Sequence, residues 1–249
     1  MKLPQRLRYG DEATLVEHLD ELRSRIILVL ATVAGITVIT FIFHEHLVHW
    51  LELELPRDRR HLTTFSPTEP FVTSLTVSIY AAGLLSLPVI LWQLWGFLAP
   101  AMGHRAQRAV VGLSAFAGAL ALAGLAFGYF LVLPAALRFL TNYDSNQYNI
   151  QIRANSFFSF ATMILLAIVV IFEVPIVMLG LVRVGILTSR QLRRNRRWGY
   201  LISAAVALAL PGPDPVTTAL ELFPMWAIYE SSIWLTVLLE RRIAIPTGE

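Results

Sequence analysis

Cysteine is absent from the 249 residues, which excludes disulfides, thiolate zinc sites, iron–sulfur clusters and cysteine nucleophiles in one step. Charge is scarce too: 15% of the residues are Asp, Glu, Lys or Arg, against roughly a quarter in soluble domains. Lysine is almost missing, Lys2 being the single one among twenty basic residues. The net charge of +3 is small, and the arginines sit in clusters between apolar stretches, which argues against a nucleic-acid partner. No Gly-rich phosphate loop and no Ser/His/Asp constellation occurs, so the chain is not expected to be an enzyme or to need a cofactor. His44, Glu45, His46 and His49 look metal-like, but a zincin pair needs histidine where Val48 stands, so no metal is expected.

What fills the chain is apolar length. Hydrophobic residues make up 56%, and a bilayer core takes about 20 of them as helix. The windows 26–43, 70–104, 109–137 and 154–172 lack charge. The fourth continues through Glu173 and Pro175 to residue 182. Two further apolar runs cover 199–210 and 216–239, separated by Pro211-Gly-Pro-Asp-Pro215, which cannot continue a helix. Fifteen of the twenty basic residues fall in segments 1–25, 98–108, 183–198 and 240–249. The positive-inside rule therefore predicts six spans with both termini cytoplasmic. The expected fold is an all-α polytopic membrane protein, the fifth and sixth helices short. One domain is expected over 1–249: a cytoplasmic segment 1–25, a six-helix bundle 26–239 and a cytoplasmic tail 240–249. The first span reads as a retained anchor, because its apolar run ends in Phe43-His44-Glu45 without a small-residue cleavage site. Trp50, Trp92, Trp95 and Trp198 fall near the boundaries, where aromatic belts form. The pair Gly124 and Gly128 has the spacing of close helix packing.

Within the spans, Glu173 stands out. It lies ten residues from Arg183, about 15 Å deep at ~1.5 Å per residue. A carboxyl near the midplane faces a bundle interior or a watery cavity, and it is a functional candidate by default. One reading makes it the relay of a proton-coupled transporter; the bland reading is a protonated acid that glues two helices. Glu221 and Glu230, nine residues apart, point to opposite faces of one helix. Glu221 is placed near the turn as an interfacial residue and Glu230 nearer the cytoplasm. Ahead of the first span, Thr14 and Glu17 fit a capping box, while Asp20/Arg23 and Glu21/Arg25 fit helical ion pairs. The same acids on a basic face could instead dock a cationic peptide.

Several segments together resemble TatC, the receptor subunit of the twin-arginine protein translocase. They are His18-Leu-Asp-Glu-Leu-Arg-Ser-Arg25, Ser66-Pro-Thr-Glu-Pro-Phe71 and Pro88-x-x-x-Trp-Gln-x-Trp-x-Phe-Leu-Ala-Pro100, then Phe127-Gly-Tyr-Phe130 with Pro134 and Phe172-Glu-Val-Pro175. The arginine-rich fourth loop, Pro213-Asp214, Pro224-Met and Tyr229-Glu230 complete the set. The resemblance implies a concave bundle in the plasma (inner) membrane. It implies binding of the twin-arginine signal peptides of folded cargo, recruitment of TatA- and TatB-like single-span partners, self-association in a Tat complex, and transport driven by the proton motive force. By position, Glu21, Arg23, Phe97 and Pro100 fall in the signal-binding region, and Glu173 matches the family's membrane-buried glutamate. Asp214, Thr218 and Glu230 fall on the partner-docking helices. One departure is visible: Ala106 stands where the family usually carries a loop glutamate, and the loop 101–108 has no acid at all. Signal recognition would then rest on Glu21, with Asp20 or Glu17.

Overall fold

The computed structural model describes residues 15–98, 106–143, 147, 150–183, 186–209 and 214–243. Among them every regular element is helical, apart from one isolated bridge between Thr63 and Arg153. In chain order the helices are α1 (Leu15–Ile42), α2 (His44–Glu52), a single 3-10 turn (Arg57–Arg59), α3 (Glu69–Leu98) and α4 (Ala106–Phe127). A five-residue π turn, Gly128–Val132, leads into α5 (Leu133–Asn142). Then follow α6 (Ala154–Phe172), α7 (Val174–Arg183), α8 (Ser189–Arg194), α9 (Arg196–Ala209) and α10 (Pro215–Ile243).

Four segments are long and apolar enough to cross a membrane: His18–Ile42, Glu69–Phe97, Gly112–Asn142 and Ala154–Val182. They coincide with the first four apolar windows of the sequence. The fifth run is short as expected, 14 residues in α9, or about 21 Å against a hydrocarbon core of ~30 Å. The expectation of a short sixth helix is overturned, because α10 extends for 29 residues with Pro224 inside it. A proline in a packed apolar helix removes one backbone donor without ending the helix when neighbouring helices hold both halves. Here α7 and α9 both pack on α10. The polar Glu240-Arg241-Arg242 then lengthens the helix beyond the apolar run.

Large apolar side chains on the outside of the bundle, among them Ile26, Leu30, Leu85, Leu122 and Trp234, are exposed. A soluble surface would not carry so continuous an apolar coat. Trp50, Trp92 and Trp198 share that exposure, as interfacial aromatics should, but Trp95 does not. Its side chain is 1% exposed and its indole lies against Gly180 of α7, where a Cβ would come within 1.8 Å of the ring. The boundary position hid a packing role: Trp95 and its neighbours Leu91, Leu113 and Ile176 tie α3, α4 and α7 into one core. At Gly124 a Cβ would sit 2.9 Å from the Phe172 ring and at Gly128 3.0 Å from Leu165. The small-residue spacing does bring α4 and the π turn close against α6.

Candidate functional site

Antiparallel packing of α1 on α3 sets the amino-terminal end of α1 beside the last turns of α3, while Phe41 meets Phe71 at the other end. On α1, residues 18, 21 and 25 recur at i, i+3 and i+7, so they share one face, and that face meets Gln93, Gly96 and Phe97. The His18 imidazole stacks on the Phe97 ring with centroids 4.2 Å apart. Arg25 donates from Nε (3.0 Å) and from Nη2 (2.6 Å) to the same oxygen of Glu21, Oε1. Its Nη1 donates to the Gln93 side-chain oxygen at 3.0 Å. Gly96 makes room for that guanidinium, since a Cβ there would stand 2.5 Å from Nη1. The second oxygen of Glu21, Oε2, is buried without a hydrogen-bond partner, with His18 Nδ1 at 3.8 Å.

The structure thus joins two of the sequence-selected residues, Glu21 and Phe97, and adds three that were not selected: His18, Arg25 and Gln93. All three stand in the quoted motifs, and the i, i+3, i+7 stripe on α1 could have singled out the first two. Arg23, roughly 200° around the helix from Glu21, is exposed. Of the expected ion pairs, Glu21/Arg25 forms. Ala106 is the first residue of α4. Pro100 and Thr14 lie outside the described residues, and the side chain of Glu17 does too.

At the opposite end of the bundle Asp214 caps α10. Its Oδ1 accepts the N–H groups of Val216 (3.1 Å) and Thr217 (2.8 Å), which satisfies two orphan donors of the helix start. Asp214 Oδ2, Thr217 Oγ1 and both carboxyl oxygens of Glu221 are buried and unpartnered. Glu221 is 1% exposed, which corrects the interfacial reading. Residues 214, 217 and 221 fall on the face of α10 that turns into the protein, and nearness to a chain reversal does not bring a residue to the surface. Thr218 is half-buried on the neighbouring face, with its N–H bonded to the Asp214 carbonyl at 3.0 Å. Glu230 belongs elsewhere: it pairs with Arg196 Nη2 at 3.0 Å and accepts the Tyr200 hydroxyl. Sixteen residues along the helix from Asp214, about 24 Å, it fastens α9 to α10 near the other end.

Glu173 marks the break between α6 and α7. Pro175 cannot donate to the α6 ladder, so Glu173 closes α6 with a tight N–H bond to Val170 and its own carbonyl starts α7 by accepting from Ile176 and Val177. Its side chain is 4% exposed and both carboxyl oxygens are buried without a partner.

A sixth acid, Glu69, stands in the Ser66–Phe71 motif. Buried at the first turn of α3, it accepts Arg153 Nε at 2.9 Å and Nη2 at 3.2 Å. It also takes the N–H groups of Phe65 (2.9 Å) and Asn155 (3.2 Å). The carboxylate raises the already high pKa of Arg153 and ties the connector before α3 to the start of α6.

A multi-pass helical membrane protein is defined by these features, with a narrow charged patch at one end and carboxyls left unpaired among its helices. Residues 17–224 match the family model TatC, Sec-independent protein translocase protein, and the chain belongs to that family. It is 31% identical to Sec-independent protein translocase protein TatCd of Bacillus subtilis, over 93% of this chain and 94% of that protein. To the TatC protein of Aquifex aeolicus it is 33% identical, over 92% and 96%. A crystal structure of the twin-arginine translocase receptor TatC superposes with a TM-score of 0.78 at 31% identity, covering 89% of this chain and 98% of that one. The role of the chain is that of a Sec-independent protein translocase component.

Proposed function

We propose that this chain is the signal-peptide receptor of a twin-arginine translocase, and that the patch of His18, Glu21, Arg25, Gln93 and Phe97 receives the arginine pair. The observation that carries the reading is Glu21 Oε2, a buried carboxylate oxygen with no partner, beside the Phe97 ring stacked on His18. A guanidinium can accept the geometry of both: a charge-assisted hydrogen bond to the carboxylate and a stacking contact on the ring. With Ala106 in place of a loop acid, Glu21 carries most of the recognition.

In this reading the arginine-rich end faces the cytoplasm, six helices span the plasma (inner) membrane, and both termini are inside. The short α9 leaves a locally thin, concave bundle. Single-span TatA- and TatB-like partners dock along α9 and α10 near Asp214 and Thr218. Glu230 contributes by holding those two helices together. The proton motive force drives passage of the folded cargo. The test is export of a folded reporter behind a twin-arginine signal, in cells lacking their own receptor and supplied with matched partners. Export restored by the chain supports the proposal; inserted protein without export contradicts it.

A further inference from the structure

At the end of the bundle away from the Glu21 patch, a cleft of about 460 Å³ opens between the connector after α2 and the outer turns of α5. Its charged lining is Arg57, Arg59 and Arg138, with Glu54 the one carboxylate among the described side chains around it. Neither the Glu21 patch nor the buried acids use any of these residues. Arg59 is fixed at the wall by an Nη1–H bond to the Ile150 carbonyl at 3.0 Å. Arg57 and Arg138 are exposed. Glu54 lies beside the Tyr129 hydroxyl, turned toward the protein. Among the described side chains, Arg57 and Arg138 are the exposed charges at the opening, and its volume is in the range of small-ligand sites.

What surrounds the cleft says which anion fits. Arg138 lies four residues before Asn142, where an apolar span ends, about 6 Å in from that end. That is the level at which arginine reaches a headgroup while its stem lies on hydrocarbon. One turn before Pro134 of the cleft wall, toward the middle of the span, Phe130 is 67% exposed and Leu131 52%. Leu53, at the cleft itself, is exposed as well. A cationic pocket thus tops an apolar outer flank, matching an amphiphile with an anionic head and hydrocarbon tails.

We propose that this cleft is a binding site for the phosphate headgroup of an anionic membrane phospholipid. Arg57 and Arg138 hold the phosphate, because planar guanidinium forks match phosphate oxygens better than point charges do. The acyl chains run along Phe130 and Leu131. The bound lipid bridges the connector after α2 and α5 on the outside, where Leu55, Leu133 and Leu137 already join them in the core.

The shared chemistry is a phosphate monoanion, and the experiment separates its lipid and soluble sources. Full-length protein is reconstituted in nanodiscs of phosphatidylcholine with or without 20% (about one lipid in five) phosphatidylglycerol, extracted gently, and examined by native mass spectrometry. The wild-type chain is expected to retain phosphatidylglycerol at a ratio to phosphatidylcholine about tenfold that of the bilayer, and the Arg57→Gln/Arg138→Gln variant to lose that enrichment. Both substituted side chains are exposed, so the variant folds, shown by an unchanged melting midpoint in phosphatidylcholine alone. Phosphatidylglycerol is expected to raise the midpoint of the wild-type chain only. Equal retention of the two lipids, or equal enrichment in the variant, overturns the proposal. Displacement of the lipid by millimolar inorganic phosphate overturns its membrane source.

Discussion

Arg25 holds one carboxylate oxygen of Glu21 twice over, from Nε at 3.0 Å and Nη2 at 2.6 Å, and leaves the other oxygen buried and unpartnered. The acid proposed to receive a signal arginine is therefore half occupied by an arginine of its own chain. Partial pairing keeps the carboxylate oriented through the Arg25–Gln93 contact. An incoming guanidinium meets a preset acceptor rather than a mobile one.

Two substitutions separate these roles. Glu21→Gln is expected to lower signal-peptide affinity at least about tenfold, the usual loss when a hydrogen bond to a charged group goes. Arg25→Gln frees Oε1, and because half-exposed pairs contribute at most ~1 kcal/mol, it is expected to raise affinity by up to about fivefold. Fluorescence titration of a labelled signal peptide into purified protein measures both. Equal losses in the two variants would mean that Arg25 only positions Glu21.

Ala106→Glu places an acid at the first residue of α4. It is expected to raise crosslinking to a twin-arginine peptide about tenfold, a second charged hydrogen bond being added. No gain over the wild-type chain would show that the loop plays no part in recognition here.

Glu173 makes no hydrogen bond through either carboxyl oxygen, so Glu173→Leu removes a desolvated acid without breaking a contact. Thermal unfolding in detergent is expected to show equal or higher stability, by roughly 1–3 kcal/mol, together with reduced export of the reporter. A loss of stability would reveal a structural hydrogen bond and favour the helix-glue role. If solute uptake by the purified chain alone were found, and were lost in Glu173→Gln, the transporter reading would replace the receptor.

Glu69→Gln leaves Arg153 without its carboxylate and weakens the backbone N–H contacts from Phe65 and Asn155 at the start of α3 and α6. A melting midpoint lower by several degrees is expected, with signal-peptide affinity unchanged because the Glu21 patch lies at the other end. Coupled loss of both would contradict that separation.

Which parts of the molecule could be read from the chain follows from the kind of signal each part leaves. Apolar windows betray helices because the bilayer demands about 20 such residues, and the Gly124/Gly128 spacing betrays a contact because only small residues permit it. Trp95 and Glu221 misled because distance from a span boundary says nothing about which face of a helix turns inward. The last turn of α10 was hidden by a polar end that hydropathy does not count. Glu21 and Phe97 are 76 residues apart, and their meeting depends on the α1–α3 packing. His18, Arg25 and Gln93 stood in plain view, but spacing on a single helix cannot name the residues facing it from another.

The most direct test of the account keeps Glu21 intact and introduces a photoreactive residue at Phe97 or at Ala106 in turn, then adds a twin-arginine signal peptide. Labelling at both positions is expected. It should fall about tenfold or more when the two signal arginines are replaced by lysine, or when Glu21→Gln is introduced. Undiminished labelling in both of those controls would contradict recognition of an arginine pair by Glu21 beside Phe97.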